Sequence, residues 1–337
     1  MPRLPPHLLH RARAHNPLLP LLLPECRDPA SALSELRWLR AHAHATAQPL
    51  RPLCERRRRG EPLQYILGTQ PFGALEILCR RGVLIPRQET EDLIHRLAAR
   101  LTHTHTHTHT HTPPAHRPLR ILDLCTGTGC IPLLLHSLLP SSSILAIDIS
   151  PVAVALSRRN LAHNIALGAL PPAAAHSVAF RVGDVLDVPG LLGAVRAHFG
   201  GEEGEGRGVV DVVVANPPYV SARGFDVETA RSVRRYEPRL ALVPRGGEWE
   251  GDGGGDGFYP VVGRVAGELG AGVVAVEVGG WAQAGRVRGV WEGEGEGWEV
   301  EVWADYAERG RGVVAWRGEW GGGWEAEVQS GEVERMN

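Results

Sequence analysis

The run Asn216-Pro217-Pro218-Tyr219 follows a strand-like segment, Val209 to Ala215, and its residue types suit one task. Two prolines fix φ and remove two backbone donors, so the main-chain carbonyl of Pro217 can point to the same place as the Asn216 side-chain oxygen. Two acceptors aimed at one point can hold a planar NH2 group by both hydrogens, while Tyr219 covers a flat face and the nitrogen is directed at an electrophilic carbon. The group held would be an amide or an exocyclic amine; the plainer reading is an Asn-Pro turn capping a strand. A second constellation lies upstream. Asp123-Leu124-Cys125-Thr126-Gly127-Thr128-Gly129 joins an apolar run, Leu119 to Leu124, to a second one, Ile131 to Leu139, giving strand, Gly-rich turn and helix. Asp148 lies 21 positions beyond Gly127, at the end of the next strand-like run, where a carboxylate can accept both hydroxyls of a ribose. The turn lacks the third glycine of a dinucleotide fingerprint, so alone it is weak; with Asp148 it points to an adenosine-containing cofactor.

These residues need a scaffold that gathers strand ends. Five runs qualify: Leu119 to Leu124, Ile144 to Ile147, Val178 to Val182, Val209 to Ala215 and Val273 to Val278. Each finishes on or near a polar residue, namely Asp123, Asp148, Asp184, Asn216 and Glu277, and helical patterns lie between them. That alternation predicts an α/β fold with a parallel sheet, whose ligands sit beyond the carboxyl ends of the strands. Pro151 after Ser150 suits a helix start, with Val154, Leu156 and Leu161 facing inward.

The chain's 337 residues are 43% hydrophobic and 22% charged, enough for a sizeable core, and the net charge of -2 lacks the strong basic signature of a general nucleic-acid binder. Charge is uneven, however. Residues 1–100 hold 16 Arg against nine Asp and Glu, or +7, leaving -9 for the rest. There is no lysine, which reflects a codon bias toward Arg, Ala, Gly and Pro. The spacing of Leu33, Leu36 and Leu39 predicts a helix in a small N-terminal helical module, and Arg56 to Arg59 reads as a solvated face. The first 24 residues carry Arg3, Arg11 and Arg13 and no acid, the composition of an organellar targeting segment or of an Arg-biased helical start. Cys26, Cys54, Cys79, Cys125 and Cys130 form no CxxC pair, so no metal site is expected. The apolar stretch Leu18 to Leu23 is broken by Pro20 and Pro24, so no membrane span is expected. The Thr-His alternation over 102–112 reads as a disordered insertion, and the runs 200–208, 246–257 and 292–297 as loop expansions.

Asn216 to Tyr219, the turn Asp123 to Gly129, Asp148, the segment Gly60 to Gly68, the segment Val83 to Glu91 and Tyr236 to Leu242 together resemble the HemK/PrmC family, peptide-chain release-factor glutamine N5-methyltransferases. The resemblance runs from about residue 30 to about 316. It implies a class I S-adenosylmethionine-dependent methyltransferase, Rossmann-like with a seven-stranded sheet, carrying a small five-helix-like N-terminal domain. The corresponding division is a possible targeting segment over 1–24, a helical substrate-recognition domain over 25–80, a connecting segment over 81–118, the methyltransferase domain over 119–317 and a flexible tail over 318–337.

Carried over residue by residue, Asp123, Cys125, Thr126, Gly127, Thr128 and Gly129 would pass beneath the methionine part of S-adenosylmethionine. Asp148 would bind the ribose, and Asp184 with Val185 would lie against the adenine. Asn216, Pro217, Pro218 and Tyr219 would hold the glutamine of a Gly-Gly-Gln loop in a release factor, with Asn216, Pro217 and Tyr219 catalytic and Asn216 also beside the cofactor. Arg87 and Glu91 belong to a segment that approaches the site or joins the domains. Two departures stand out: Cys125 replaces a usual Gly, costing roughly 1 kcal/mol if that position needs φ > 0, and Gly279 to Gln283 carries one residue more than the family's Glu-x-Gly-x-x-Gln. The eukaryotic members with this module are mitochondrial, which agrees with the acid-free start; a bacterial cytoplasmic origin is the alternative. Direct DNA binding is not expected, although an adenine or cytosine amino-methyltransferase would present the same NH2 to this motif. A non-catalytic methyltransferase-like binding protein is the other competing reading.

Overall fold

In the computed structural model, residues 4–107, 117–200, 208–245, 255–293 and 297–320 are described. Seven strands form one sheet. They are β3 (Leu119–Leu124), β4 (Ser142–Asp148), β5 (Val178–Val182), β6 (Val212–Ala215), β7 (Val273–Glu277), β8 (Glu299–Ala304) and β9 (Gly310–Trp316), preceded by a separate antiparallel hairpin of β1 (Thr69–Phe72) and β2 (Leu75–Leu78). The order across the sheet is β5-β4-β3-β6-β7-β9-β8, parallel through β7 and antiparallel at β9 and β8. This is the seven-stranded methyltransferase arrangement. The strand order reverses direction at β3 and β6, which opens a crevice at their carboxyl ends.

Alternation along the strands builds the two layers. Ile121, Ile144, Ala146, Val212, Val214, Val273 and Ala275 face one cluster with helices 88–107, 130–138 and 151–166. Leu122, Leu124, Leu145, Ile147, Val213, Ala215, Val274 and Val276 face the other, with helices 188–199, 258–268 and 281–293. Every one of these strand residues is buried, as a central sheet covered on both faces requires. β8 and β9 escaped the reading by apolar runs, since β8 reads Glu299-Val300-Glu301-Val302-Trp303-Ala304 at a sheet edge, where alternating acids are tolerated.

The N-terminal region is a bundle of five helices, 6–15, 19–26, 29–45, 50–58 and 63–67. Asp28 caps the longest by accepting from the backbone N–H groups of Ala30 (2.8 Å) and Ser31 (3.1 Å), with Pro29 at its first position. The bundle begins at Pro6 and not at residue 25: Leu19, Leu22 and Leu23 are fully buried against Leu36, Leu39 and Leu53. Residues 81–118 are likewise more than a connection, since Leu93, Ile94, Leu97 and Leu101 of helix 88–107 bury into the sheet's core. The backbone of that helix includes the first Thr-His residues, through His107; 108–116 lie outside the described residues, as do 201–207, 246–254, 294–296 and the tail from 321.

The hairpin is fixed to the domain by two fully buried asparagines on helix 151–166. Asn160 accepts from Leu78 N (2.7 Å) and donates to Thr128 O (2.9 Å), while Asn164 accepts from Glu76 N (3.0 Å) and donates to Glu76 O (2.9 Å). One helix thereby secures both the hairpin edge and the turn after β3. No helix among the described residues is long and apolar enough to cross a membrane.

Candidate active site

The turn after β3 is a chain of left-handed residues: Cys125 at φ 63°, Gly127 at 56° and Gly129 at 80°. A side chain at Gly129 would meet Ser157 Cβ at 2.8 Å and the Phe180 ring at 3.1 Å, so close packing as well as φ demands glycine there. At Gly127 nothing lies within 4 Å of where a Cβ would stand, so its backbone faces open space. Asp148 ties this turn to the end of β4: Oδ2 accepts from Gly127 N and Oδ1 from Ser150 N, each at 2.8 Å. Burial raises its pKa above the usual carboxylate value, and the two backbone donors oppose that shift. Asp123 is fully buried beneath the turn, with neither oxygen hydrogen-bonded. Its pKa is raised well above normal by burial. The Cys125 thiol is pushed up by burial and then by Asp148, Asp123 and Asp184.

Over the turn opens a cavity that is continuous with solvent. Its walls come from the strand ends, from residues 82–87 and from Pro238, Leu240, Ala241 and Arg245. Asn216 stands at one side, and behind it lies Glu277, only 2% exposed at the end of β7. Glu277 Oε2 accepts from Asn216 Nδ2 at 2.9 Å and from the Thr90 hydroxyl, while Oε1 accepts from the Tyr219 hydroxyl at 3.0 Å. Burial raises the Glu277 pKa, and the Thr90 and Tyr219 hydroxyls pull it back. An ionised carboxylate can only accept, so it fixes which end of the Asn216 amide is the NH2. The amide oxygen is thereby left for another donor.

Two further supports surround this group. Gln283 accepts from Gly279 N (2.7 Å) and donates to Tyr219 O (3.2 Å) and Asp256 Oδ1 (2.7 Å), so the extra residue before it does not prevent it from holding the segment after Asn216. Arg87 donates to both oxygens of buried Glu237, at 2.8 and 2.9 Å, and Glu237 also accepts from Ile85 N. That pair closes one wall of the cavity.

No family model matches the chain. Curated relatives do. It is 36% identical over 243 residues to the mitochondrial MRF1 N(5)-glutamine methyltransferase of Saccharomyces cerevisiae, covering 72% of this chain and 68% of that protein. It is 35% identical over 261 residues to the probable mitochondrial MRF1 N(5)-glutamine methyltransferase of Schizosaccharomyces pombe (73% and 74%), and 31% identical over 259 to the release factor glutamine methyltransferase of Salmonella typhimurium (77% and 76%). The chain belongs to the HemK/PrmC family of release-factor glutamine methyltransferases. Among solved structures, the N-terminal domain of human METTL16 in complex with SAH aligns at a TM-score of 0.46 and 14% identity, over 77% of this chain and 81% of that one.

The residues that the HemK/PrmC pattern marks fall unevenly around the cavity. Cys125, Thr126, Gly127, Thr128, Asp148, Asp184, Val185, Asn216 and Pro218 line it; Asp123 and Gly129 lie beneath the turn, and Pro217 is buried. Tyr219 does not line it, since its hydroxyl is drawn back onto Glu277 and its half-buried ring packs against the core beside Gly279. Arg87 is in the wall, whereas Glu91 is not. The donors present fit S-adenosylmethionine. Gly127 leaves the backbone open to it, Asp148 keeps spare acceptor positions on both oxygens, the buried Asp123 carboxyl beneath has no hydrogen-bond partner of its own, and Val185, Leu186, Ile149 and Phe258 offer apolar surface. Glu277 and Thr90 were not among the sequence candidates. Glu277 had been visible only as one more polar strand end, and Thr90 lies 126 positions from Asn216.

Proposed function

We propose that this protein methylates the N5 nitrogen of the glutamine in the Gly-Gly-Gln loop of a peptide-chain release factor, using S-adenosylmethionine, and so supports translation termination in mitochondria. The observation that carries this reading is the Glu277 contact with Asn216 Nδ2, which leaves Asn216 Oδ1 as an acceptor at the cavity. The two yeast relatives, both named as mitochondrial, support the compartment.

When bound, with Asp148 at the ribose, Asp184 and Val185 at the adenine and Cys125 to Gly129 beneath, S-adenosylmethionine supplies an electrophilic methyl group on a sulfonium. The remaining work falls to the chain. Amide nitrogen is a poor nucleophile because its lone pair is delocalised into the carbonyl. Asn216 Oδ1 and the Pro217 carbonyl accept the two N–H bonds of the glutamine, which turns the lone pair toward the methyl and favours the positive charge that develops on nitrogen. When ionised, Glu277 places negative charge behind Asn216 and polarises its amide in the same sense. No base is required before attack, since the proton leaves the nitrogen once it is methylated. The N-terminal helical bundle is the element proposed to recognise the body of the release factor.

Transfer of label from S-adenosylmethionine to a purified mitochondrial release factor tests the reading, beside a factor with Gln→Ala in the loop and a duplex DNA. Label on the intact factor alone is expected. Label on DNA would move the activity to a nucleobase.

A further inference from the structure

The Arg56–Arg59 run does not stay a remote solvated face. Arg56 and Arg57 are consumed by Glu61 and by Glu35 with Glu25, but Arg58 and Arg59 remain exposed. The Arg59 carbonyl accepts from the Tyr236 hydroxyl at 3.4 Å. Tyr236 in turn gathers two more cations: the Arg81 guanidinium lies 5.4 Å from its ring centroid and that of Arg235 lies 5.6 Å away. Arg80, Arg231 and Arg239 are exposed on the same segments. Among the described residues none of Arg58, Arg59, Arg80, Arg81, Arg231, Arg235 or Arg239 makes an ion pair, and the one acid inside this group, Glu237, is buried and spent on Arg87. Directly after Tyr236, residues Pro238, Leu240 and Ala241 form the cavity rim. Three parts of the chain, the helical bundle, the end of the hairpin and the segment after β6, thus bring unneutralised guanidinium groups to one side of the site.

Like charges converge at a cost unless something of opposite sign covers them. We propose that this arginine cluster around Tyr236 docks an acidic surface of the protein that presents the glutamine, steering it onto the cavity and fixing its orientation. The proposal rests on the function given above, because a protein whose glutamine enters the cavity must lie across this rim. It goes beyond that function in naming the patch and the sign of its partner. Carboxylates rather than phosphates are the committed occupant: the rim has to be covered by the substrate protein, and the chain as a whole carries -2, with none of the overall basic excess of a nucleic-acid binder. Rim charges of this kind act on encounter and on salt dependence more than on the chemical step.

The test compares wild type with the triple variant Arg81→Gln/Arg231→Gln/Arg235→Gln. Binding of S-adenosylhomocysteine and the thermal midpoint serve as folding controls, because all three side chains are exposed. With intact release factor at low salt, KM should rise by about tenfold in the variant with kcat unchanged, and the gap should close as salt is raised. With a short Gly-Gly-Gln peptide, too small to reach the patch, the two proteins should behave alike. Equal KM and equal salt dependence for the intact factor would overturn the proposal, as would a parallel loss on the peptide, which would mean that the arginines act through the site. If a structured RNA binds wild type, competes with the factor and loses affinity for the variant, the occupant is nucleic acid and the proposal falls. Direct binding of release factor, followed without turnover, separates the two claims. Salt-sensitive binding that the variant loses, with no methyl transfer by wild type, would keep the docking surface and discard the activity.

Discussion

At the scale of single residues, the arrangement turns on which end of the Asn216 amide faces the cavity, and Glu277 decides it. Asn216→Ala should lower kcat roughly 100-fold while S-adenosylhomocysteine binding changes little. Glu277→Ala should approach the same loss without touching substrate, since the amide is then free to flip. Glu277 is acceptor-only when ionised and gains a donor when protonated, so only the ionised form fixes the Asn216 amide on its own; its pKa lies above the ordinary glutamate value, so kcat should fall as pH drops through that raised value. This acid limb should be absent in Glu277→Gln, whose amide oxygen can still accept from Asn216 at all pH. A pH profile of kcat for the two proteins checks it; identical acid limbs would exclude Glu277 as their source. Cys125, at φ 63°, stands where glycine is at ease. Cys125→Gly should raise the thermal midpoint by a few degrees, for a gain of up to about 1 kcal/mol, and a lower midpoint would show that the thiol's packing outweighs the strain. Asn216 and Asp148 were legible in the sequence because their chemistry is local: two prolines after an asparagine, an acid ending a strand at a fixed distance from a Gly-rich turn. Glu277 and Thr90 were not, because their role exists only once β7 lies beside β6 and helix 88–107 crosses behind them. The retreat of the Tyr219 hydroxyl onto Glu277 was equally invisible, since it depends on that same neighbour.

The parallel strands were read most accurately, at the centre of the sheet (β3) and at its edge (β5) alike. The runs Leu119 to Leu124 and Val178 to Val182 match β3 and β5 to the residue, and β6 is shorter than the run Val209 to Ala215 only because Val209 and Val210 bond to Leu269 before the strand starts. The antiparallel strands β8 and β9 were missed on pattern alone, because the alternating Glu and Val of edge strand β8 carries a weak apolar signal and β9 opens on Gly310-Arg311-Gly312. Arg87 shows how elements are tied: it lies before helix 88–107 and holds Glu237 150 positions away. Arg87→Met should destabilise the fold by about 3 kcal/mol, because it strands a carboxylate whose side chain is 2% exposed. Arg87→Met combined with Glu237→Gln should recover much of that loss in denaturant titration. A double variant no better than the single would show that Arg87 acts by some other contact.

For the whole molecule, the acid-free start and the fold bear on each other. Leu19, Leu22 and Leu23 complete the core of the helical bundle, so removal of residues 1–24 should expose Leu36 and Leu39 and lower the thermal midpoint or the soluble yield. If the 25–337 form is as stable as the full chain, those leucines contribute nothing and cleavage at that point is structurally free. The two charge halves read from the sequence, +7 and -9, meet in the fold at the arginine-rich rim, which neither half shows by itself. In the proposed function, an asparagine held by Glu277 presents glutamine nitrogen for methylation. Tandem mass spectrometry of a release factor incubated with S-adenosylmethionine and wild type, Asn216→Ala or Glu277→Ala tests it most directly. One methyl group on the side-chain nitrogen of the Gly-Gly-Gln glutamine, present with wild type and nearly lost with both variants, is the predicted result; methylation of another residue, or full modification by either variant, would contradict it.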